Sequence, residues 1–184
     1  MEMMKTIAIR KSTRGYKSEQ IGDDSLTTIL NAASAAPVGM GAYNSVHITV
    51  IQNSDLLDKI TNATAKFFDN PKMKPFYGAP TFIIVSSKLN EKAPTIGVAN
   101  ASCIIENMTL AATSIGLGSV YLMAFLSAFS ADEELLKELD LPEGFLPVCG
   151  MALGYPIEPL NTEKEFKENI KVNIIKEAVS KWYC

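Results

Sequence analysis

The spacing of hydrophobic residues changes period several times along this chain, and each change marks an element boundary. Residues 3–10 form a short apolar run of weakly helical character. Leu26, Ile29, Leu30 and Ala33 then recur at helical spacing. A helix is predicted over 25–36, with Asp23 or Asp24 able to cap it and Pro37 ending it. Val46, Ile48 and Val50 alternate with His47, Thr49 and Ile51, the two-residue period of a strand. Ser54 opens a further helix carrying Leu56, Leu57 and Ile60. Residues 70–75 read Asn-Pro-Lys-Met-Lys-Pro, a loop by composition, and Gly78, Ala79 and Pro80 close it before the apolar run 82–85. That run is short enough for a strand buried on both faces.

The longest periodic segment is predicted as a helix over 96–115. Cys103, Ile104, Met108, Ala111, Ala112 and Ile115 lie nearly all round it. Such a helix needs cover on every side, which points to a homodimer with this helix near the interface. A central helix inside a monomer is the competing reading. A strand over 120–125, a helix over 132–139 and a strand over 145–153 follow, the last stopped by Gly154, Tyr155 and Pro156. An extended C-terminal segment begins at about 160. It is charged from Asn161 and ends in an amphipathic stretch with Ile174, Ile175, Ala178 and Val179. Helices and strands alternate without repeats or linkers, so residues 1–184 read as one domain with a two- or three-layer α/β arrangement.

Composition narrows the function. The chain has 184 residues, 47% hydrophobic and 20% charged, with a formal net charge of −3. Those values describe a globular protein and argue against a nucleic-acid binder, which needs a basic field over much of its surface. Between Ala93 and Ala131 the only charged residue is Glu106. The uncharged stretch 107–129 is long enough to span a bilayer, but Gly116 to Ser119 interrupt it, and Asn107, Thr109, Thr113 and Ser114 precede the break. It reads as a buried helix, a turn and a strand rather than a membrane segment. The first ten residues lack the apolar core of a signal peptide, so a cytoplasmic protein is expected. Cys103, Cys149 and Cys184 show no metal or redox spacing. They read as reduced thiols, with Cys103 and Cys149 as small buried hydrophobes. His47 stands alone and reads as structural.

Two Gly-x-Gly fragments, at residues 39–41 and 116–118, do not follow a strand and open a helix, so neither is a dinucleotide fingerprint. The acidic pairs Asp23-Asp24 and Glu133-Glu134 suit helix starts better than acid–base chemistry. The densest chemical signal is Arg10-Lys11-Ser12-Thr13-Arg14, three cations and two hydroxyls in five residues. Guanidinium groups meet phosphate oxygens bidentately, lysine adds a point charge, and hydroxyls and backbone N–H groups fill the remaining lone pairs. A phosphate monoester is the ligand this set suits.

Residues 10–14, the Ala36-Pro37 loop, Leu117-Gly118-Ser119 and the Leu153-Gly154-Tyr155-Pro156 turn, taken together, resemble the FMN-dependent nitroreductase family over nearly the whole chain. The resemblance implies an α+β fold, a central mostly antiparallel sheet flanked by helices, and a homodimer with two FMN sites at its interface. It places Arg10, Ser12 and Arg14, with Lys11, on the FMN phosphate and ribityl chain. It places Val38, Gly39, Met40 and Gly41 over the partner's flavin, although this loop departs from the family's usual Ser-Ser-x-Asn-x-Gln-Pro-Trp pattern. Tyr121, Leu122, Met123 and Ala124 would run beneath the ring and offer a backbone N–H to flavin N5. Lys167 matches a C-terminal cation at the phosphate, Asn169 stands where a second is common, and Asn70 and Lys74 match contacts to the pyrimidine edge. Lys74 or Arg14 near that edge could favour reduction of the ring.

The function this implies is an FMN-dependent NAD(P)H oxidoreductase taking electrons from NADH or NADPH to nitroaromatics, quinones or similar small electrophiles. Since the cofactor carries the redox chemistry, no acid or base residue of the chain is required. Met40, Tyr43, Met123 and Phe125 are candidates to line a broad acceptor slot. Two other readings stay open: an FMN-binding storage or sensing protein without turnover, and a member that cleaves its own reduced flavin or reduces an unusual substrate such as an iodinated phenol or an enone.

Overall fold

A computed structural model describes residues 2–90, 92–167 and 170–175. Among them ten elements follow in the order α1 (Met3–Ile9), α2 (Asp23–Ser34), β1 (Val46–Ile51), α3 (Ser54–Phe67), β2 (Thr81–Lys88), α4 (Ile96–Ser114), β3 (Gly118–Leu122), α5 (Leu126–Ala131), α6 (Glu133–Lys137) and β4 (Phe145–Gly154). The four strands form one sheet in the order β1-β2-β4-β3. Every neighbouring pair is antiparallel.

Alternation along the strands decides which residues meet which helices. Ile83, Val85, Cys149, Met151 and Leu153 point to one face and join Ile29 and Ala33 of α2 with Ile104, Ile105, Met108 and Ala112 of α4. Phe82, Ile84, Val120 and Ala152 point to the other and join Leu57 and Ile60 of α3 with Phe125, Ala128 and Leu135. Helices therefore cover both faces of the sheet, the three-layer form of the expected arrangement. A β-bulge between Val85 and Ser86 shifts the β2–β4 register. Gly150 on β4 lacks a Cβ for a packing reason, since one would strike Phe82 Cζ at 2.5 Å.

Most boundaries follow the sequence pattern, and the departures have local causes. Helix α2 starts two residues early, with Gly22 as its N-cap, and Asp23 and Asp24 lie in its first turn without a side-chain capping bond. They act on the helix dipole rather than as caps. Asn53 caps α3, its side chain accepting from Leu56 N at 2.9 Å. Asp132 caps α6 in the same way, from Leu135 N at 3.0 Å. The predicted strand 120–125 is the main correction. It ends at Leu122, and a turn closed by Leu126 N–H donating to Met123 O at 3.0 Å leads into α5, which the sequence reading missed. Phe125 is fully buried there, its ring edge-on to Phe82 at 4.7 Å, and so does not line a slot.

Helix α4 is also less enclosed than its composition suggested. Asn100, Ala101, Ile104, Ile105, Met108, Thr109, Ala112 and Thr113 are buried, while Val98, Cys103 and Glu106 stay exposed. Cys103 is thus a surface thiol, against the buried position expected, and Cys149 is buried as expected. No helix of the described residues is long and apolar enough to cross a membrane. His47 is half-buried on β1, 6.0 Å and edge-on from the Phe145 ring, a packing role. Residues 161–167 and 171–175 carry no regular structure, so Ile174 and Ile175 are not helical. Ala178 and Val179 of the expected amphipathic stretch lie outside the described residues.

Candidate functional site

The basic segment is bound to the sheet by its backbone. Helix α1 closes with Arg10 N–H donating to Thr6 O at 3.0 Å, and Arg10 then leaves helical geometry. The following residues run beside β3 and the end of β4. Ser12 bridges Ser119 in parallel and Tyr16 bridges Pro156 antiparallel. Thr13 N–H donates to Ser119 O at 2.9 Å, Lys17 N–H to Tyr155 O at 2.9 Å, and Ile157 N–H to Gly15 O at 3.1 Å. The buried Tyr16 hydroxyl donates to Thr13 O at 3.0 Å. Burial, with Tyr77 adding and Arg14 opposing, raises that phenol far above its ordinary value, so it remains a neutral donor.

A tight contact sets the spacing of this strap from β3. A Cβ on Gly118 would lie 2.7 Å from Thr13 Oγ1 and 2.8 Å from its Cγ2. Thr13 Oγ1 and Ser119 Oγ are both buried without a hydrogen-bond partner. Backbone pairing holds the segment, which leaves its charged side chains available. Lys11, Ser12, Thr13, Arg14 and Gly15 line a cleft of about 350 Å³ whose other wall is Ile157 and Glu158. Lys11 Nζ lies 3.8 Å from an oxygen of Glu158, a solvated contact worth little. Arg14 is exposed, its guanidinium 5.9 Å from the centre of the Tyr77 ring. Among the described residues no carboxylate pairs with Arg10 or Arg14.

A further cation reaches this site from the C-terminal segment, and it is not the expected one. Lys164 N–H donates to Ala8 O at 3.0 Å, which fixes the segment against α1. Desolvation, then the Arg10 guanidinium, lowers the Lys164 ammonium below the usual lysine range, while Glu106 opposes. Lys167 instead lies 3.3 Å from Glu165 with most of its side chain in solvent. Lys164 is tied to α1 by its backbone and lies within electrostatic reach of Arg10, whereas the ion pair of Lys167 is with Glu165. Asn169 lies outside the described residues. Two lysines three positions apart in an irregular charged tail carry no periodic signal that tells them apart.

The remaining candidates form separate groups. Gly39 to Gly41 make a single turn of 3-10 helix, in which Met40 takes a left-handed φ of 59° and is 84% exposed. Gly39 N–H donates to the Asn100 side-chain oxygen at 2.9 Å, which ties the loop to the first turns of α4. Asn100 was missed, although an amide inside an apolar helix is a legible sign of a buried polar contact. Val38 is buried in the core and offers its backbone only. Tyr121 and Met123 are exposed at the outer end of β3, as is Tyr43 near the 39–41 turn, while Leu122 and Ala124 are half-buried. Asn70 accepts from Lys72 N within its own loop at 3.2 Å. Lys74 faces a second cleft of about 370 Å³ with Ser54, Asp58 and Tyr77, so it is not gathered into the basic cleft.

Comparison with known proteins gives this geometry a context. The nitroreductase family model matches residues 7–155. A candidate NADH dehydrogenase/NAD(P)H nitroreductase of Archaeoglobus fulgidus is 32% identical over 170 residues, covering 91% of this chain and 90% of that protein. A Bacteroides fragilis nitroreductase solved with bound FMN is 30% identical, with a TM-score of 0.79 over 96% of this chain and 100% of that one. A Desulfitobacterium hafniense nitroreductase, also solved with FMN, shares the fold at a TM-score of 0.83 and 24% identity, over 96% and 100% of the two chains.

Proposed function

The chain belongs to the nitroreductase family, and from that premise we propose that it is an FMN-dependent NAD(P)H oxidoreductase acting on small electrophilic acceptors such as nitroaromatics and quinones. The observation that carries the reading is the backbone-held strap that puts Lys11, Ser12 and Arg14 on one cleft, with Arg10 at its head within electrostatic reach of Lys164, and with Arg10 and Arg14 lacking carboxylate partners among the described residues. Bringing Arg10 and Lys164 together is unfavourable by itself, and an anion between them relieves the repulsion. A phosphate monoester has the charge and the acceptor oxygens to do so. The donor set therefore fits FMN.

When bound, FMN supplies the redox chemistry, with hydride arriving from NADH or NADPH and leaving to the acceptor. The chain's own work is to bind, orient and enclose. Arg10, Ser12 and Lys164 hold the phosphate end, with Lys11 and Arg14 toward the ribityl chain. The backbone from Tyr121 to Ala124 forms the bed beneath the ring and offers an N–H donor. Lys74 and Asn70 would need to swing toward the ring to touch its polar edge, so they are secondary candidates. Residues 38–41 cover the ring of a second copy, and Met40, Tyr43 and Met123 line the acceptor slot. The exposed side chains at Val98, Cys103 and Met40 support a homodimer, since their protomer leaves them uncovered. We read the chain as one domain with an extended arm from about 160, acting in the cytoplasm without nucleic acid or membrane.

A second reading, FMN storage or sensing without turnover, rests on the exposure of Met40, which can close the ring face to substrate. Anaerobic stopped-flow mixing of the purified yellow protein with NADH and NADPH decides between them. Bleaching of the flavin bands, and their return on adding a quinone, is the expected result. Flavin that stays oxidised supports storage, and colourless protein that takes up no added FMN removes both readings.

A further inference from the structure

A tyrosine stands where the local backbone favours a much smaller residue. Ala79 N–H donates to Phe76 O at 3.0 Å, closing a turn whose two central residues, Tyr77 and Gly78, have φ of 56° and 79°. Positive φ at both positions is the pattern of a type I′ turn, in which asparagine, aspartate and glycine predominate. An aromatic residue there costs strain, so other contacts must hold it in place. Its side chain packs against the core cluster that contains Leu57, Ile60 and Phe82. Over its ring, 5.9 Å from the centre, lies the Arg14 guanidinium. The pair straddles two clefts, with Arg14 lining the basic one beside Lys11 and Ser12, and Tyr77 lining the neighbouring one beside Lys74. A ring face attracts the guanidinium charge and takes none of its five N–H donors, which stay free for acceptor oxygens in the cleft. Arg14 is exposed and has no carboxylate partner among the described residues, so the ring does what an ion pair does elsewhere and narrows its choice of rotamers.

We propose that Tyr77 is a positioning residue for Arg14, its ring holding the guanidinium at the edge of the basic cleft in the orientation that a bound FMN needs. This deepens the oxidoreductase reading and rests on it. Tyr77 acts on the cofactor only through Arg14. It lowers the cost of ordering a long side chain when the ligand arrives, and the strained turn is what presents the ring to the guanidinium.

The FMN dissociation constant, read from the quenching of flavin fluorescence, is the measure. Tyr77→Leu keeps an apolar side chain against the core and removes the aromatic face, and Tyr77→Asn suits the turn and removes the ring altogether. Each should raise the constant about threefold, the size of a cation–π contact at an exposed site, whereas Tyr77→Phe should match wild type. Should one of the first two fail to fold, the other carries the test. Arg14→Gln should raise the constant by itself, and adding Tyr77→Leu or Tyr77→Asn to it should bring no further rise, since the ring acts through the guanidinium. An equal rise in both backgrounds would make Tyr77 a packing residue or a direct contact and overturn the proposal alone. An unchanged constant in Tyr77→Leu and Tyr77→Asn, or in Arg14→Gln, would do the same, as would a rise in Tyr77→Phe as large as in Tyr77→Leu. Wild-type protein that binds no FMN would overturn the oxidoreductase reading, and this proposal with it.

Discussion

Two loops of the candidate site, residues 10–14 and residues 38–41, are built on opposite principles. The first is pinned at several points, by Thr13 N–H to Ser119 O, by the Tyr16 hydroxyl on Thr13 O, and by the close approach of Thr13 to Gly118. The second has one bond to a helix, Gly39 N–H to Asn100, and presents an exposed Met40 in a backbone conformation that side chains disfavour. A charged ligand end needs donors whose positions are fixed before it arrives, because reorganising them would consume the binding energy. A surface that closes over a ring, or over another copy of the chain, can be left unfinished by its own protomer. On the proposed reading, the difference separates a preformed phosphate grip from a cover completed on assembly.

Gly118→Ala attacks the pinned loop where it is tightest and should have the largest effect. The added methyl cannot be accommodated without moving Thr13, which is short, branched and buried. Overpacking of this kind costs about 3 kcal/mol. Urea unfolding of the flavin-free protein measures it, and unchanged stability would mean that the strap is not fixed against β3. Next in size is Arg10→Ala. It should leave folding intact and weaken FMN by about 2 kcal/mol, roughly thirtyfold, if the guanidinium meets phosphate through a charge-assisted bond. Equilibrium dialysis of flavin gives the number, and unchanged retention would detach Arg10 from the ligand.

A smaller effect, read through pH, tests which lysine completes the grip. In the free protein desolvation and Arg10 lower the Lys164 ammonium, so it begins to lose its proton below the ordinary lysine value. A bound phosphate favours the charged form and raises it again. Affinity for FMN is therefore constant where Lys164 is protonated in both states. It declines as pH rises through the lowered free-protein value, until the bound-state value is passed. The phosphate itself is fully ionised throughout this range, its second pKa being about 6. Titrating FMN into wild-type protein, Lys164→Met and Lys167→Met across the alkaline range should show the slope lost in Lys164→Met alone. Loss of the slope in Lys167→Met would restore the assignment made from sequence.

That exchange of one lysine for another shows where the sequence stops being legible. Helical spacing places α2, α3 and α4, two-residue alternation places β1, and short apolar runs bounded by turn residues place β2 and β4, while only the second half of β3 is found. The cluster 10–14 is equally plain, since three cations within five residues need no tertiary information. Helix α5 was missed because its six residues, Leu126–Ala131, continue the apolar run of β3 without a cap or a breaker. Phe125 was assigned to a slot for the same reason. Lys164 and Asn100 owe their places to contacts with Ala8 and Gly39, far away in sequence. An amide in an apolar helix signals that Asn100 has a buried partner, but no local pattern names that partner or picks Lys164 from its neighbours.

The smallest expected effect belongs to the loose loop and separates its two possible burdens. A non-glycine residue in the left-handed region costs about 1–2 kcal/mol, and glycine returns 0.5–1 kcal/mol of that as lost chain entropy. Met40→Gly should therefore stabilise the flavin-free protein by about 0.5 kcal/mol. The same change removes an 84% exposed side chain that its own protomer does not hold, so whatever it contacts after assembly is lost. Flavin should then dissociate faster, and the Michaelis constant for an aromatic acceptor should rise, while Arg10 and its neighbours still hold the phosphate. A variant that is more stable and otherwise unchanged would show the left-handed methionine to be strain without a purpose, and the cover over the ring would have to come from elsewhere in the chain. A variant that is less stable would mean that Met40 packs against something within the free protein, and the contrast between a finished grip and an unfinished cover would fail on the side of the cover.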